Sequence, residues 1–325
     1  MLEPVQRRRG RRRHRLRRLA PLAGLAALAV AAGMVVGARQ GEAHHARTAV
    51  QAPAPRTTPT RRPHPRPAKP AALLAGPPLL RRGPVLKARS AILVDGTSGR
   101  VLYEIRAHRR RPIASTTKIM TALVALHRLR PDDVVRVDRS VPRVPLVKEG
   151  LRAGERVEAW KLFYGMLLYS GNDDALALAI AAGGSRSRFV ALMNEKARDL
   201  GLRDTHFAGP SGIVDRDNFS TAWDLAALTR AALRESRFRT IVRTRVRRVA
   251  WAAPTFAKVY VNKNLLLGRY RGANGVKTGF TTKAGHCLVA SATRGRVTLI
   301  TVVLGSGDEY RDARMLLNLG FRALG

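Results

Sequence analysis

The hydrophobic positions of this chain fall into two kinds of pattern. Short runs rich in β-branched residues open and close the chain after about residue 85, and segments with helical spacing lie between them. Residues 88–95 and 101–105 read as two strands joined by the turn signal Gly96-Thr97-Ser98-Gly99. From Ser115 onward apolar residues recur at 119, 120, 123, 124 and 126, which predicts a helix. The chain is irregular from 131 to 158. Helices are then predicted over 160–168, 175–182 and 187–200, with Gly201 as a natural C-terminal stop. Residues 206–220 form a loop rich in Gly, Asp and Pro, followed by a helix over 221–235. The basic, β-branched stretch 237–258 is predicted as exposed strand. The last third is strand-rich, with runs at 275–281, 287–291 and 297–304 and a hairpin turn at Arg294-Gly295-Arg296. A helix over 309–322 closes the chain. Strands at both ends with helices between them predict an α+β domain whose end segments share one antiparallel sheet.

Ahead of this domain the pattern is different. Residues 7–18 are almost solid arginine, and residues 19–38 carry no charge. A basic segment before an apolar one is the mark of an export signal or signal-anchor. The apolar run is about long enough to span a bilayer, so an uncleaved anchor is favoured. Val36-Gly37-Ala38 resembles a small-residue cleavage site, which would instead release the chain. Residues 39–84, rich in Pro, Ala, Arg and Thr, read as a disordered spacer. The expected organisation is therefore 1–38 signal or anchor, 39–84 linker and 85–325 folded domain, placed outside the cytoplasm.

Composition changes this picture little. The 325 residues include 60 Lys and Arg against 22 Asp and Glu, a formal net charge of +38. Such a charge invites a nucleic-acid reading, but it is concentrated at the front, and an exported chain has no nucleic acid to meet. The single cysteine, Cys287, excludes an internal disulfide and any metal site built on several cysteines.

The candidate chemistry begins at Ser115. Lys118 lies three residues on, one helical turn away on the same face, where its amine can serve as base for a serine that is otherwise a weak nucleophile. Alone, that pair reads more readily as an N-cap serine with a solvated lysine. Two further motifs follow in order: Ser170-Gly171-Asn172 between helices, and Lys277-Thr278-Gly279 on a strand. Serine-x-x-lysine, a serine–asparagine motif and Lys-Thr-Gly, in that order, are the set used by class A β-lactamases and penicillin-binding proteins.

The likeness extends beyond the motifs. Residues 112–122, Met193-Asn194-Glu195-Lys196-Ala197, Leu200-Gly201-Leu202, Thr205-His206-Phe207, Phe219-Ser220-Thr221-Ala222, 262–266 and 275–279 resemble the D-alanyl-D-alanine carboxypeptidases, the low-molecular-mass penicillin-binding serine peptidases. The similarity runs from about Ala88 to Gly320. It implies a β-lactamase/transpeptidase-like fold: an antiparallel sheet flanked by helices, with a mostly helical lobe.

The resemblance also implies roles. Ser115 would form an acyl-enzyme, Lys118 would be its base, Ser170 would relay a proton, and Asn172 would hold Lys118 and the substrate backbone. Lys277 and Thr278 would bind the substrate carboxylate, and Gly279 would let the substrate lie close. The N–H groups of Ser115 and Phe280 would form the oxyanion hole, and Arg311 matches a family arginine near the carboxylate pocket. No metal or cofactor is called for. The implied partners are peptidoglycan stem peptides ending in D-Ala-D-Ala, β-lactams as covalent inhibitors and, through the N-terminal segment, the membrane.

Two features depart from the family pattern. Asp174 follows Asp173 where a small residue is usual, and Ser211-Gly212 stands where His-Gly is common. A β-lactamase would also need a Glu-x-x-x-Asn loop between the second and third motifs, and neither Glu195 nor Glu235 there is followed by Asn four residues on. An endopeptidase cutting D-Ala cross-links would use the same residues, and a non-catalytic basic wall-binding protein is the remaining alternative.

Overall fold

The computed structural model describes residues 73–213, 217–251 and 256–324. The arginine run, the apolar segment and most of the spacer lie outside these residues.

Strands β1 (Ser90–Asp95) and β2 (Val101–Ile105) form the predicted first hairpin. A two-residue strand β3 (Arg111–Pro112) leads to helix α1 (Lys118–Leu126). The segment read as irregular holds a small two-stranded pair, β4 (Val134–Arg136) with β5 (Arg156–Glu158). Helices α2 (Ala159–Tyr164), α3 (Asn172–Gly183) and α4 (Arg186–Asp199) follow. Then come β6 (Phe219–Ser220), α5 (Ala222–Ala232), α6 (Ser236–Val242), β7 (Val246–Val249) and β8 (Lys258–Val261). Three long strands, β9 (Ala273–Thr281), β10 (Gly285–Arg294) and β11 (Val297–Ser306), precede the closing helix α7 (Glu309–Leu324).

The main sheet has the order β2-β1-β11-β10-β9 with every neighbour antiparallel, so the two ends of the domain share one sheet as predicted. Ile92 pairs with Val302, Val302 with Val289, and Val289 with Lys277. Both faces are covered, which is why β1 and β11 read as near-continuous apolar runs rather than alternating ones. One face, including Ile92, Val289 and Val302, packs into the main core with α1 and α5. The opposite face, including Leu93, Leu288 and Val303, packs on α7 through Ala313, Leu316 and Leu317. These three recur at helical spacing, and Gly320 extends the row. A Cβ on Gly320 would lie 2.7 Å from the Leu299 side chain, so the glycine sets how closely the helix lies on the sheet.

Helix α1 is buried along its whole length, Lys118 and Thr121 included. Its polar residues therefore need internal partners. The Thr121 hydroxyl donates to the Pro210 carbonyl at 2.7 Å.

Three expectations change. Residues 236–242 form helix α6 rather than strand, because Phe238, Ile241 and Val242 bury one helical face and this outweighs the β-branched composition. The segment 160–168 is helical only to Tyr164 and then widens into a π-turn over Gly165–Tyr169. The folded body also begins before Val85. Leu73 and Leu74 are buried, and the amides of Leu79 and Leu80 donate to the carbonyls of Val101 and Leu102 at 3.1 and 2.8 Å. Among the described residues no single helix is long and apolar enough to cross a membrane.

Candidate active site

Ser115 sits in a 3-10 turn, Ala114–Thr117, that leads into α1. Two threonine hydroxyls lock the turn: Thr116 Oγ1 donates to the Ile113 carbonyl at 2.6 Å and Thr117 Oγ1 to the Ala114 carbonyl at 2.8 Å. Ala114 is held at φ +46°, a left-handed conformation that costs an alanine on the order of 1–2 kcal/mol and persists only where the surroundings enforce it. The turn also lies against β9. A Cβ on Gly279 would come within 2.9 Å of the Ser115 amide nitrogen, so glycine is what permits this approach.

One turn along, the Lys118 amine is fully buried. It donates to Asn172 Oδ1 at 2.8 Å and to the Ser211 carbonyl at 2.9 Å, and its third direction meets Ser115 Oγ at 3.0 Å. Asn172, the first residue of α3, is fixed from behind. Its Nδ2 donates to the Pro145 carbonyl at 3.1 Å, and its amide donates to the Val147 carbonyl at 2.9 Å. Among its partners are thus two fixed acceptors, Asn172 and Ser211, and the Ser115 hydroxyl.

Ser170 ends the π-turn at φ +75°, in the left-handed region. Lys277 of β9 donates to Ser170 Oγ and to the Thr278 carbonyl, both at 3.0 Å. Burial, with repulsion from Lys118 and Lys263 behind it, pushes the Lys277 amine well below the ordinary lysine range. The sheet, the 3-10 turn and the start of α3 thus bring together two serines, two buried amines and one amide. A hydroxyl with an adjacent amine, beside a second hydroxyl and a second amine, is an arrangement in which the first hydroxyl can be activated as a nucleophile.

The profile of the D-alanyl-D-alanine carboxypeptidase family, Peptidase_S11, matches residues 80–308. The chain belongs to this family. It is 36% identical over 261 residues to a D-alanyl-D-alanine carboxypeptidase of Streptomyces sp. strain K15, covering 73% of this chain and 88% of that protein. It is 32% identical over 248 residues to the D-alanyl-D-alanine carboxypeptidase DacF of Bacillus subtilis, covering 72% of this chain but only 62% of that longer relative. The crystal structure of the Streptomyces K15 DD-transpeptidase superposes with a TM-score of 0.70 at 35% identity, over 74% of this chain and 99% of that one. The α+β fold, with its helix-flanked antiparallel sheet, is the transpeptidase/β-lactamase-like fold of these relatives.

Of the residues that the family resemblance singled out, Ser115, Lys118 and Asn172 form one hydrogen-bonded group and Ser170 and Lys277 a second, and the two buried amines are close enough to repel each other. Thr278 is half-buried beside Lys277, and its carbonyl is one of the lysine's acceptors. Phe280 is exposed, with its ring 4.6 Å from that of His286. Arg311 is joined to neither group. Its guanidinium points to the Val85 carbonyl and to Asp312, both at 3.4 Å. The helix position that suggested it sits at the start of α7, which packs on the other face of the sheet from α1.

Sequence reasoning missed the backbone partners. At Ser211-Gly212, where the family often has His-Gly, it is the Ser211 carbonyl that meets Lys118, so this contact does not depend on the side chain that differs. Gly212 adopts φ +78°, and a Cβ there would collide with the Ala114 carbonyl, so the second residue of the pair is the constrained one. No motif search registers a carbonyl.

Beneath the site lies a buried acidic layer. The Asp173 carboxylate accepts from the amides of Glu149 and Gly150, both at 2.8 Å, and of Leu151 at 3.2 Å, pinning the loop that carries Pro145 and Val147. Glu149 pairs with Lys258 at 3.2 Å and accepts from the Tyr260 hydroxyl. Asp174 is fully buried, and neither carboxyl oxygen has a hydrogen-bond partner. Burial first, then Glu149 and Asp173, hold its carboxyl well above the usual carboxylate range.

Proposed function

We propose that this chain is a serine D-Ala-D-Ala carboxypeptidase that removes the terminal D-alanine from peptidoglycan pentapeptides through an acyl-enzyme on Ser115. The observation that carries the reading is the Lys118 amine, 3.0 Å from Ser115 Oγ with its other directions fixed on Asn172 and Ser211. A neutral amine held this way donates two N–H groups to those acceptors. Its lone pair then faces the Ser115 hydroxyl proton.

Ser115 Oγ attacks the carbonyl between the two D-alanines and its proton passes to Lys118. The oxyanion is met by the N–H groups of Ser115 and Phe280, donors of a kind worth a few kcal/mol in such transition states. Ser170 relays the proton held by Lys118 to the departing D-alanine amine, which leaves Lys118 a neutral amine again and Ser170 a hydroxyl, and Asn172 orients the substrate backbone. The free carboxylate of the substrate lies against Lys277 and Thr278. Of the three Lys277 N–H groups, two are used internally and one remains to bind it. Water, activated by the same amine, then hydrolyses the ester. A β-lactam acylates Ser115 in the same way. Without a dedicated glutamate base its ester hydrolyses slowly, so the drug inhibits.

A second acceptor in place of water would make the same site a cross-linking or cross-link-cleaving enzyme, and the Streptomyces relative is described as a DD-transpeptidase. We place the domain outside the cytoplasm, tethered by residues 1–38 with the spacer as a stand-off.

The test is the intact mass of the full chain after benzylpenicillin, alongside Ser115→Ala. An adduct of the drug's mass, absent in the variant and stable for minutes, is expected, together with release of D-alanine from a pentapeptide. A folded chain with no adduct overturns the reading. An adduct lost within seconds points to a β-lactamase instead. Mass also reports whether the chain has been cut near Ala38.

A further inference from the structure

At the far end of β9 from Gly279 the sheet and the α5–α6 pair part to leave a cleft of about 410 Å³. Asn274 lies in its floor, five residues before Gly279, which is about 17 Å along a strand. The cleft is therefore separate from the Ser115 network. Two observations bear on what it could hold.

The first is its floor. Along β10 the residues on this face run Cys287, Val289, Ser291, Thr293, so the apolar core gives way to hydroxyls. Thr293 Oγ1 is bonded to Thr298 Oγ1 and to Asn274 Nδ2, at 3.0 and 2.8 Å. Ser291 is fully buried yet its Oγ has no partner, and the buried Asn274 Oδ1 has none either. Unpaired buried polar atoms are costly and rare. Here two of them line one opening.

The second is the rim. Arg230, Arg234, Arg239 and Arg243 surround the opening. Arg230 is committed to the carbonyls of Leu73, Gly96 and Thr97, and Arg239 to those of Leu233 and Arg234, so their charges are positioned but not neutralised. Arg234 and Arg243 are exposed and form no ion pair among the described residues. The nearby acids are occupied: Asp95 caps the turn at Thr97 and Ser98, and Glu235 pairs with His127 at 2.9 Å.

A cationic rim asks for an anion, and guanidinium forks match phosphate oxygens best. The Asn274 acceptor and the Ser291 hydroxyl ask in addition for a hydroxyl-bearing ligand. We propose that this cleft binds a polyol phosphate chain, with phosphates on Arg234 and Arg243 and a hydroxyl reaching Ser291 and Asn274. A volume in the range of ligand sites accommodates more than a single phosphate. The polar floor is recessed and none of the exposed large apolar side chains lines the opening, which favours a thin soluble chain over a membrane surface. The proposal is independent of the chemistry at Ser115.

The experiment is phenylglyoxal labelling of arginines in the full-length chain, read peptide by peptide, with a poly(glycerol phosphate) oligomer as the probe. Selective protection of Arg234 and Arg243 is expected, at oligomer concentrations that leave the exposed Arg152 and Arg156 open. Ser291→Val, which closes the floor without touching the charges, should raise the concentration for half-protection by about tenfold. A cooperative thermal melt of that variant reports that it is folded. If it does not fold, Arg234→Glu with Arg243→Glu takes its place, read by oligomer protection of the Arg230 and Arg239 peptides, which should be lost. Equal protection of every exposed arginine would overturn the proposal in favour of diffuse attraction. So would protection by phosphatidylglycerol vesicles but not by the oligomer, or protection unchanged in Ser291→Val.

Discussion

The carboxyl group of Asp174 occupies the space that a side chain on Gly171 would fill. A Cβ on that glycine would overlap Asp174 Oδ2, and one on Gly165 would stand 2.6 Å from the same oxygen. An acid is thus enclosed between two glycines that flank Ser170, in the layer directly under the Ser-Gly-Asn motif.

Because its proton is held more tightly in the folded than in the unfolded chain, Asp174 favours the fold most at pH values below the ordinary aspartate range. That contribution is lost as pH rises toward the raised folded value. Asp174→Asn, an isostere of the protonated acid, should remove this loss. Thermal melts at pH 5 and pH 8 are expected to show a smaller drop for the variant than for the natural chain, with the variant the more stable at pH 8. Parallel pH curves would mean that Asp174 is not the group responsible.

Asn172→Asp would put a carboxylate where an amide oxygen now accepts from Lys118 at 2.8 Å. An opposite charge at that distance keeps the proton on the amine, and a protonated amine is no base. Penicillin acylation at pH 7 should slow by about a hundredfold, with the chain still folded and the rate recovering at higher pH. Rates from adduct mass against time, across pH 6–10, decide it.

Gly279→Ala adds a methyl group 2.9 Å from the Ser115 nitrogen and 3.2 Å from the Ile113 carbonyl, both backbone atoms. The turn and β9 must move apart. Overpacking of this kind costs about 1–3 kcal/mol. The larger effect should be on acylation, where a displacement of about 1 Å slows a reaction by about a hundredfold. A variant with a lowered melting temperature but an unchanged acylation rate would show that the contact is structural only.

The thiol of Cys287 is enclosed by the sheet, and burial pushes it up to about 11. It should resist iodoacetamide at pH 8 in the native chain and react within minutes in denaturant. Labelling in the native state at the denatured rate would contradict its burial.

Much of this architecture was legible in the sequence. The hairpins at both ends were readable because turn signals sit between β-branched runs, and the Ser115–Lys118 pair because helical spacing is regular. Three kinds of feature were not. Helix α6 was hidden because Phe238, Ile241 and Val242 gain more from burying one face than their propensities suggest. The π-turn at Gly165–Tyr169 packs at Gly165 against Asp174, which lies beyond it in sequence, and no local pattern announces it. The Ser211 and Pro145 carbonyls that hold Lys118 and Asn172 carry no residue signature at all. Arg311 marks the opposite limit, since a plausible position in sequence leads to a guanidinium turned toward Val85 and Asp312.

The strand order has a consequence for how the chain comes into being. The Thr301 hydroxyl donates to the Ile92 carbonyl at 2.9 Å across 209 positions of sequence. Synthesis delivers the first hairpin early, but β11, which flanks it, and β9, which carries Gly279, both come near the end of the chain. Closure of such distant pairs is slow and late. A partly made chain therefore holds the Ser115 turn without the strands that complete the sheet beside it, and the fold closes only when nearly the whole chain is available.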